Sequence, residues 1–532
     1  MEILQANRIS KVSFEAKPNQ EFLGCISLYL THGIYFFEWE PNDETLFQEY
    51  LPKETQFRLI IPLSNIKEIT RNNESMKTVI LSFSFNNKLK ASFRFHNFSQ
   101  AVISQLIEFL LFKKMISASQ TMKMKYIVNS VQSNKKDLEV SIQNKFSNFK
   151  FINFQQMSFM MAHLRFMKKF QENQNLFNEP LTIEGCLAYF DENGTCKHFN
   201  KLKYEIFKRG LNDEARRFIW PFLLNVKSPL KSNEENEQLM NQNLEKYKIL
   251  KLQWESIVKT QKTQLIEIND LVRTIDNDVK RTDRNLPQFK DENTNLKLLK
   301  NVLMCFSIYD KDSGYVQGMG DLLVPIIVLY IKDWEDNEHP ILFDKGIVTR
   351  EETEAFCFSM LCGIMSTIQQ NRMFTELSQH QQFIMERSLA IATFYHRSLK
   401  KWLHSNELNN LIFLYRPILL LFKREFKISI VMRIWDSFFS HEIPYSFPRI
   451  YLSSLLIHLF PYYLFQTNGN LGDVMSLTDS VMPTLNGVEI LNLAINLEEK
   501  LRATDKDVQW VFEKLPEKAE NRKAQPKYMK LK

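Results

Sequence analysis

The chain changes its hydrophobic period part-way along. Over the first part the period is two. Val79, Leu81, Phe83 and Phe85 alternate with Ile80, Ser82 and Ser84, Asn86-Asn87 offers a turn, and Leu89, Ala91, Phe93 and Phe95 alternate again, which predicts a β-hairpin. Residues 25–39 read as two more strands around Thr31-His32-Gly33. Asn97 then offers an N-cap with Gln100 as its reciprocal partner, and Phe98, Val102, Leu106, Phe109 and Leu110 share one helical stripe.

Residues 1–115 are thus expected to be a small β-rich domain with one C-terminal helix, a pleckstrin-homology-like (PH-like) barrel. From 120 to 150 no clean period exists, and Asn, Gln, Ser, Lys and Met dominate. Residues 116–180 are expected to be a polar flexible linker, with a short amphipathic helix at 157–167. Beyond it the period is helical. Leu271, Ile275 and Val279 fall at i, i+4, i+8, residues 296–309 are amphipathic, and 322–331 are almost wholly apolar. Residues 232–260 are polar with a helical bias and read as a solvent-facing helix or an insertion. No strand ladder reads between 181 and 505, so the predicted class is multidomain: an all-α domain over 181–505 preceded by the β-rich domain, with a basic tail over 506–532.

Composition narrows the functional classes. With 532 residues, 44% of them hydrophobic, the chain can build several cores. The net charge is +7, and residues 515–532 hold six basic against two acidic side chains, which leaves the remainder close to neutral. A dedicated nucleic-acid binder would carry a basic face, so no nucleic-acid partner is expected. The tail offers a weak attraction to an anionic membrane surface. Six cysteines without a C-x-x-C pair point to a reducing compartment and no disulfide framework, and Cys305 and Cys357 sit in apolar helical contexts as core thiols. The opening Met1-Glu2-Ile3-Leu4-Gln5 lacks the charge and apolar run of a signal peptide, and the apolar runs at 322–331, 411–422 and 450–465 are too short or too interrupted to span a bilayer. The expected location is cytoplasmic, at most peripheral on endomembranes.

No P-loop, G-x-G-x-x-G, G-x-S-x-G or zinc-spaced histidine pair occurs, and Asp191-Glu192-Asn193-Gly194 places its glycine too early for an EF-hand loop. The chemistry on offer lies in 275–321. Asp278 and Arg281 stand three apart near the end of a predicted helix and can touch. Gln317 stands on a tight turn rich in glycine (Gly314, Gly318, Gly320) just before the apolar helix. A planar guanidinium can neutralise charge on a transferring phosphoryl group, and a carboxamide can orient the attacking water.

Ile275-x-x-Asp278-x-x-Arg281 followed by Tyr315-x-Gln317-Gly318-Met319 resembles the signature of the TBC-domain GTPase-activating proteins for Rab GTPases. Further blocks resemble the same family: Ile206 to Leu211 with Arg216…Trp220, then Glu354-Ala355-Phe356-Cys357-Phe358, then Asn410 to Phe426 with Ile430 to Asp436. The resemblance implies that Arg281 and Gln317 are catalytic in trans. It implies that Asp278, Ile275, Thr282, Tyr315, Gly318, Met319 and Asp321 support them. The partner it implies is a Rab GTPase in its GTP-bound form, which carries the GTP and the Mg. No cofactor or metal of the chain's own is then needed, and the chain is an activator with no nucleotide site rather than an enzyme. Three positions depart from the family's usual residues: Pro417 and Cys357, where Trp is usual, and Gly320, where Ser or Asn is. The N-terminal block resembles the Rab-binding region of one TBC subfamily, through Gly33-Ile34-Tyr35-Phe36, Pro62-Leu63-Ser64-Asn65-Ile66 and Phe93-Arg94-Phe95-His96. The alternative of a different class is a non-catalytic Rab-binding adaptor or scaffold, which would need neither Arg281 nor Gln317.

Overall fold

The computed structural model describes residues 2–14, 22–31, 34–41, 50, 56–75, 78–85, 90–96, 99–129, 149–152, 154–171, 179–261, 266–290, 294–375, 377–504 and 507–514. The turn residues His32-Gly33 and Asn86-Asn87, the N-cap Asn97 and the tail from 515 lie outside these residues. Contacts divide the chain into two units, residues 1–167 with 459–477 and residues 168–458 with 478–532.

In the first unit seven strands run in sequence: β1 (Glu2–Phe14), β2 (Phe22–Thr31), β3 (Ile34–Pro41), β4 (Gln56–Pro62), β5 (Ile66–Ser75), β6 (Thr78–Phe85) and β7 (Lys90–His96). Helix α1 (Ser99–Phe112) follows. β1 joins the two halves by pairing antiparallel with β2 and with β7. The period of two reports burial: Val79, Leu81, Phe83 and Phe85 point inward from β6, while Ile80, Ser82 and Ser84 are half-buried. The rings of Phe37 on β3 and Phe83 on β6 meet at 4.8 Å although three strands separate these two in the sheet, so the sheet curls round one core. α1 covers that core with Ile103, Leu106, Ile107 and Leu110. Leu106 and Leu110 belong to the expected stripe, Ile103 and Ile107 widen it, and Phe109 stands at the margin, edge-on to Tyr35 at 6.1 Å.

Residues 116–180 differ most from expectation. Within the stretch expected to be a flexible linker, the described residues hold β8 (Ile116–Ala118), β9 (Lys125–Val128), β10 (Phe149–Ile152) and the helix Phe154–Gln171. β8 and β9 extend the sheet beyond β5, and β10 adds in parallel to β4. Each strand has three or four residues, too few to show a period, and each exists because a longer neighbour offers it an edge. The helix buries Met157, Met160, His163 and Phe166, with Phe159 and His163 set 6.4 and 6.0 Å from Phe460.

The second unit is helical, as the period requires, with one exception. Ile331–Trp334, Pro340–Leu342 and Gly346–Ile347 form a three-stranded antiparallel sheet, so the domain is not strictly all-α. The 29-residue helix Asn233–Gln261 covers the polar stretch. It is not merely solvent-facing: Tyr247 is fully buried and donates to Glu354 at 2.9 Å, where Lys251 (2.8 Å) and Asn301 (2.7 Å) also donate. The Asp191 turn closes on itself, its carboxylate accepting from the Asn193 and Thr195 amides at 3.0 and 2.9 Å. All six cysteines are thiols rather than disulfides, and burial pushes those of Cys305 and Cys357 up to about 12.

A buried charged cluster ties the start of this unit to its later helices. The Asp436 carboxylate accepts from Arg216 Nε and Nη2 (3.1 and 2.8 Å), from the Trp220 indole (2.9 Å) and from the Leu211 amide (3.0 Å). Asp436 and Trp220 are completely buried and Arg216 nearly so. Asp436→Ala would strand a guanidinium and two N–H donors in the core, leaving Arg216 only Asp213 at 2.6 Å. We expect it to cost roughly 3–5 kcal/mol. Urea unfolding followed by far-ultraviolet circular dichroism measures this, and an unchanged midpoint would contradict it.

Candidate functional site

The helix Ile266–Arg281 presents its apolar side through Ile275 and Val279, both buried, with Leu271 half-buried. That anchoring leaves its last turn projecting. Thr282 closes the turn with its hydroxyl on the Asp278 carbonyl at 2.8 Å, and Asp283 then takes a positive φ of 45°. The second segment leaves the helix Thr294–Tyr309 and ends at Gly318, which caps the helix Met319–Tyr330.

Asp278 joins the two. One carboxylate oxygen accepts from Arg281 Nε and Nη2 at 3.2 and 2.8 Å. The other accepts from the Tyr315 hydroxyl at 2.5 Å and the Gly318 amide at 2.9 Å. A carboxylate that is 6% exposed thus holds the arginine's guanidinium with one atom and the glutamine turn with the other. Burial alone raises its pKa, but the Tyr315 and Arg281 donors, the Gly318 amide and the guanidinium charge together hold it below the usual carboxylate range. Its contribution is therefore present above the ordinary carboxylate range and lost as pH falls through the lowered value. Tyr315 moves the other way, raised first by burial and then by Asp278, and remains a donor at neutral pH.

Gly318 is required twice over. Its φ is +98°, and a Cβ there would lie 2.8 Å from Leu420 Cδ2. Met319 is fully buried and its sulfur lies 3.5 Å from the Val316 amide, so the turn rests on packed side chains. Gln317, between Val316 and Gly318, is exposed. Arg281 is also exposed, its side chain by 63%.

Asp321 is held by residues that motif reasoning left without a role. Arg424 grips it with two bonds, Nε at 3.0 and Nη2 at 2.8 Å, and Lys423 approaches at 3.6 Å while also pairing with Asp283. Lys423 is nearly buried and bridges the turn after Arg281 to the helix after Gln317. Leu421 and Phe422 just before it take positive φ of 47° and 63°, a strained reversal that delivers the two cations to Asp321. The adjacent basic pair in Phe422-Lys423-Arg424-Glu425 was the available signal, but its acidic partners lie more than a hundred positions away.

Of the three atypical positions only Pro417 meets this arrangement, through its carbonyl, which accepts from the Phe422 amide at 2.7 Å. Pro417 lies within the first turn of a five-residue helix, Tyr415–Leu419, where the missing amide breaks no long ladder. Cys357 is a core thiol. A Cβ on Gly320 would meet Leu303 and Leu299 at ordinary distances of 3.6 and 3.8 Å.

Residues 213–462 match the Rab-GTPase-TBC domain family. The chain carries a Rab-GTPase-TBC domain. The curated relatives it resembles include mouse TBC1 domain family member 17, 32% identical over 259 residues, 48% of this chain and 36% of that protein. Another is the fission-yeast (Schizosaccharomyces pombe) GTPase-activating protein gyp7, 28% identical over 286 residues, 51% of this chain and 35% of that protein. The chain therefore spans about a third of these relatives' length. Among solved structures, the Ypt/Rab-GAP domain of Gyp1p aligns with 60% of this chain and 97% of its own, at a TM-score of 0.49 and 17% identity. The TBC domain contains both Arg281 and Gln317 within its matched span, and Asp436 closes its buried cluster. Among the described residues no helix is long and apolar enough to cross a membrane.

Proposed function

We propose that the chain is a GTPase-activating protein for a GTP-bound Rab-family small GTPase. Arg281 and Gln317 act in the partner's nucleotide site, and the outcome is control of membrane trafficking. The observation that carries this reading is the division of labour on Asp278, one oxygen of which holds the Arg281 guanidinium and the other the turn that bears Gln317, two exposed groups of the right chemistry. In the reaction, Gln317 orients a water whose oxygen forms a new bond to the γ-phosphorus while its proton passes to an oxygen of the transferring phosphate. The bond from that phosphorus to the β–γ bridging oxygen breaks, and GDP leaves with its electron pair. Arg281 stabilises the charge that develops on the transferring group and the leaving oxygen. It must first let go of Asp278. The guanidinium end of this i, i+3 pair is 63% exposed and screened by solvent, so triphosphate oxygens can compete for it. GTP and Mg come with the partner in this scheme.

For the N-terminal unit we favour a PH-like, Rab-binding role, supported by the order of seven curled strands followed by one helix and by the sequence blocks quoted above. Purified full-length protein assayed for GTP hydrolysis against a panel of Rab GTPases tests the main reading. Stimulation of at least one is expected, and none across a complete panel would leave the TBC domain as a binding scaffold.

A further inference from the structure

We propose that the end of α1 and the β8–β9 hairpin form a docking surface for an anionic lipid bilayer. Apolar side chains stand out into solvent here. Phe112 is 79% exposed, Met122 61%, Ile127 46% and Met124 40%. So many large apolar side chains exposed on one short stretch of chain call for a partner.

Charge selects the partner. Between Glu108 and Asp137 the sequence has no acidic residue. Lys113, Lys114 and Lys123 are exposed and form no ion pair among the described residues, while Lys125 alone is neutralised, by Glu68 at 3.1 Å. Lys113 Nζ lies 5.6 Å from the Phe112 ring, placing a cation beside the largest exposed apolar group. Ammonium groups beside an aromatic ring and methionines match the headgroup region of an anionic membrane, with the apolar tips below it and the amines at the phosphates.

The platform is built rather than loose. Ile116 is buried at the hairpin's base, β8 pairs with β9 from Ile116↔Val128 to Ala118↔Tyr126, and the Arg71 amide donates to the Met124 carbonyl at 2.9 Å. Two exposed residues hold left-handed backbone where glycine would be unstrained. Lys114, at φ 57°, closes α1 by donating to Leu111 at 2.9 Å, and Met124 at φ 61° turns the hairpin tip. A cation and an apolar side chain thus occupy strained positions that packing does not demand. Cations at a helix C-terminus answer the helix dipole, which accounts for Lys113 and Lys114 but not for Lys123, Phe112 or Met122.

The experiment is flotation of the full-length protein with vesicles of phosphatidylcholine containing about 30 mol% phosphatidylserine, compared with phosphatidylcholine alone. The protein is expected to float with the anionic vesicles only. Phe112→Ser with Met122→Ser should lower the partition coefficient about tenfold, and Lys113→Glu with Lys114→Glu at least as much. These side chains are exposed, so the melting temperature should not move. A full-length variant with the tail neutralised (Lys518→Gln, Arg522→Gln, Lys523→Gln, Lys527→Gln, Lys530→Gln, Lys532→Gln) should still float. No flotation, equal flotation with neutral vesicles, insensitivity to the Phe112/Met122 change, or loss of flotation in the tail variant would each overturn the proposal.

Discussion

Arg281→Ala is expected to remove most of the stimulated GTP hydrolysis, a loss on the order of 10³–10⁵ in rate, with little change in stability. The side chain is 63% exposed, and its ion pair among the described residues, to Asp278, is solvent-screened at the guanidinium end. Folding therefore gains little from it, while the transition state, where charge spreads over several phosphoryl oxygens in a site shielded from water, gains much. Arg281→Lys should not restore the rate, because an ammonium cannot reach two oxygens in one plane as the fork does. Removing the guanidinium leaves Asp278 its bonds from Tyr315 and Gly318, so the Gln317 turn should stay in place. Single-turnover hydrolysis with the GTPase found in the panel, paired with a thermal melt, separates the two effects. Full stimulation by Arg281→Ala would rule out an arginine finger at this position.

Much of the site could be read from the chain because its key contacts on the arginine side are local. Asp278 and Arg281 are one helical turn apart, and spacing alone lets them touch. Gly318 could be read as a backbone requirement, though only the fold reveals Leu420 pressing on it. What could not be read is long-range. The Tyr315 and Gly318 donors reach Asp278 across a helix and a loop, and Lys423 and Arg424 reach Asp321 from another part of the domain. A carboxylate in isolation has no preference among distant donors. Only packing decides which ones arrive.

The same distinction runs through the fold. The long strands β6 and β7 carry enough alternating positions to declare a period, and their register places Leu81 opposite Phe93 in the core. The edges β8, β9 and β10 do not, and neither do the strands of the small sheet at 331–347. Their conformation comes from the backbone groups of a neighbour, so residues 116–180 read as linker although parts of them extend a sheet. α1 shows a finer limit. Leu106 and Leu110 of the expected stripe are buried, yet Ile103 and Ile107 join them, because the face is chosen by the curled sheet beneath it.

Gln317→Ala is expected to cost a factor comparable to Arg281→Ala, and a GTPase variant isolates its role. If Gln317 positions the attacking water, a Rab whose own switch glutamine is changed to leucine should still be stimulated by the wild-type chain. The same Rab should be unresponsive to Gln317→Ala. The geometry favours such a transfer of duty. Gln317 is exposed on a turn that Gly318, Tyr315 and buried Met319 hold from beneath, so its carboxamide is presented with a fixed base rather than on a free loop. Folding should be indifferent to the change, since the side chain is solvent-facing. A KM rise with kcat intact would assign Gln317 to docking instead, because that pattern marks binding shared by ground and transition states. Loss of stimulation with the leucine variant, while the ordinary GTPase is activated through Arg281, would mean that the partner's own glutamine orients the water and Gln317 does not.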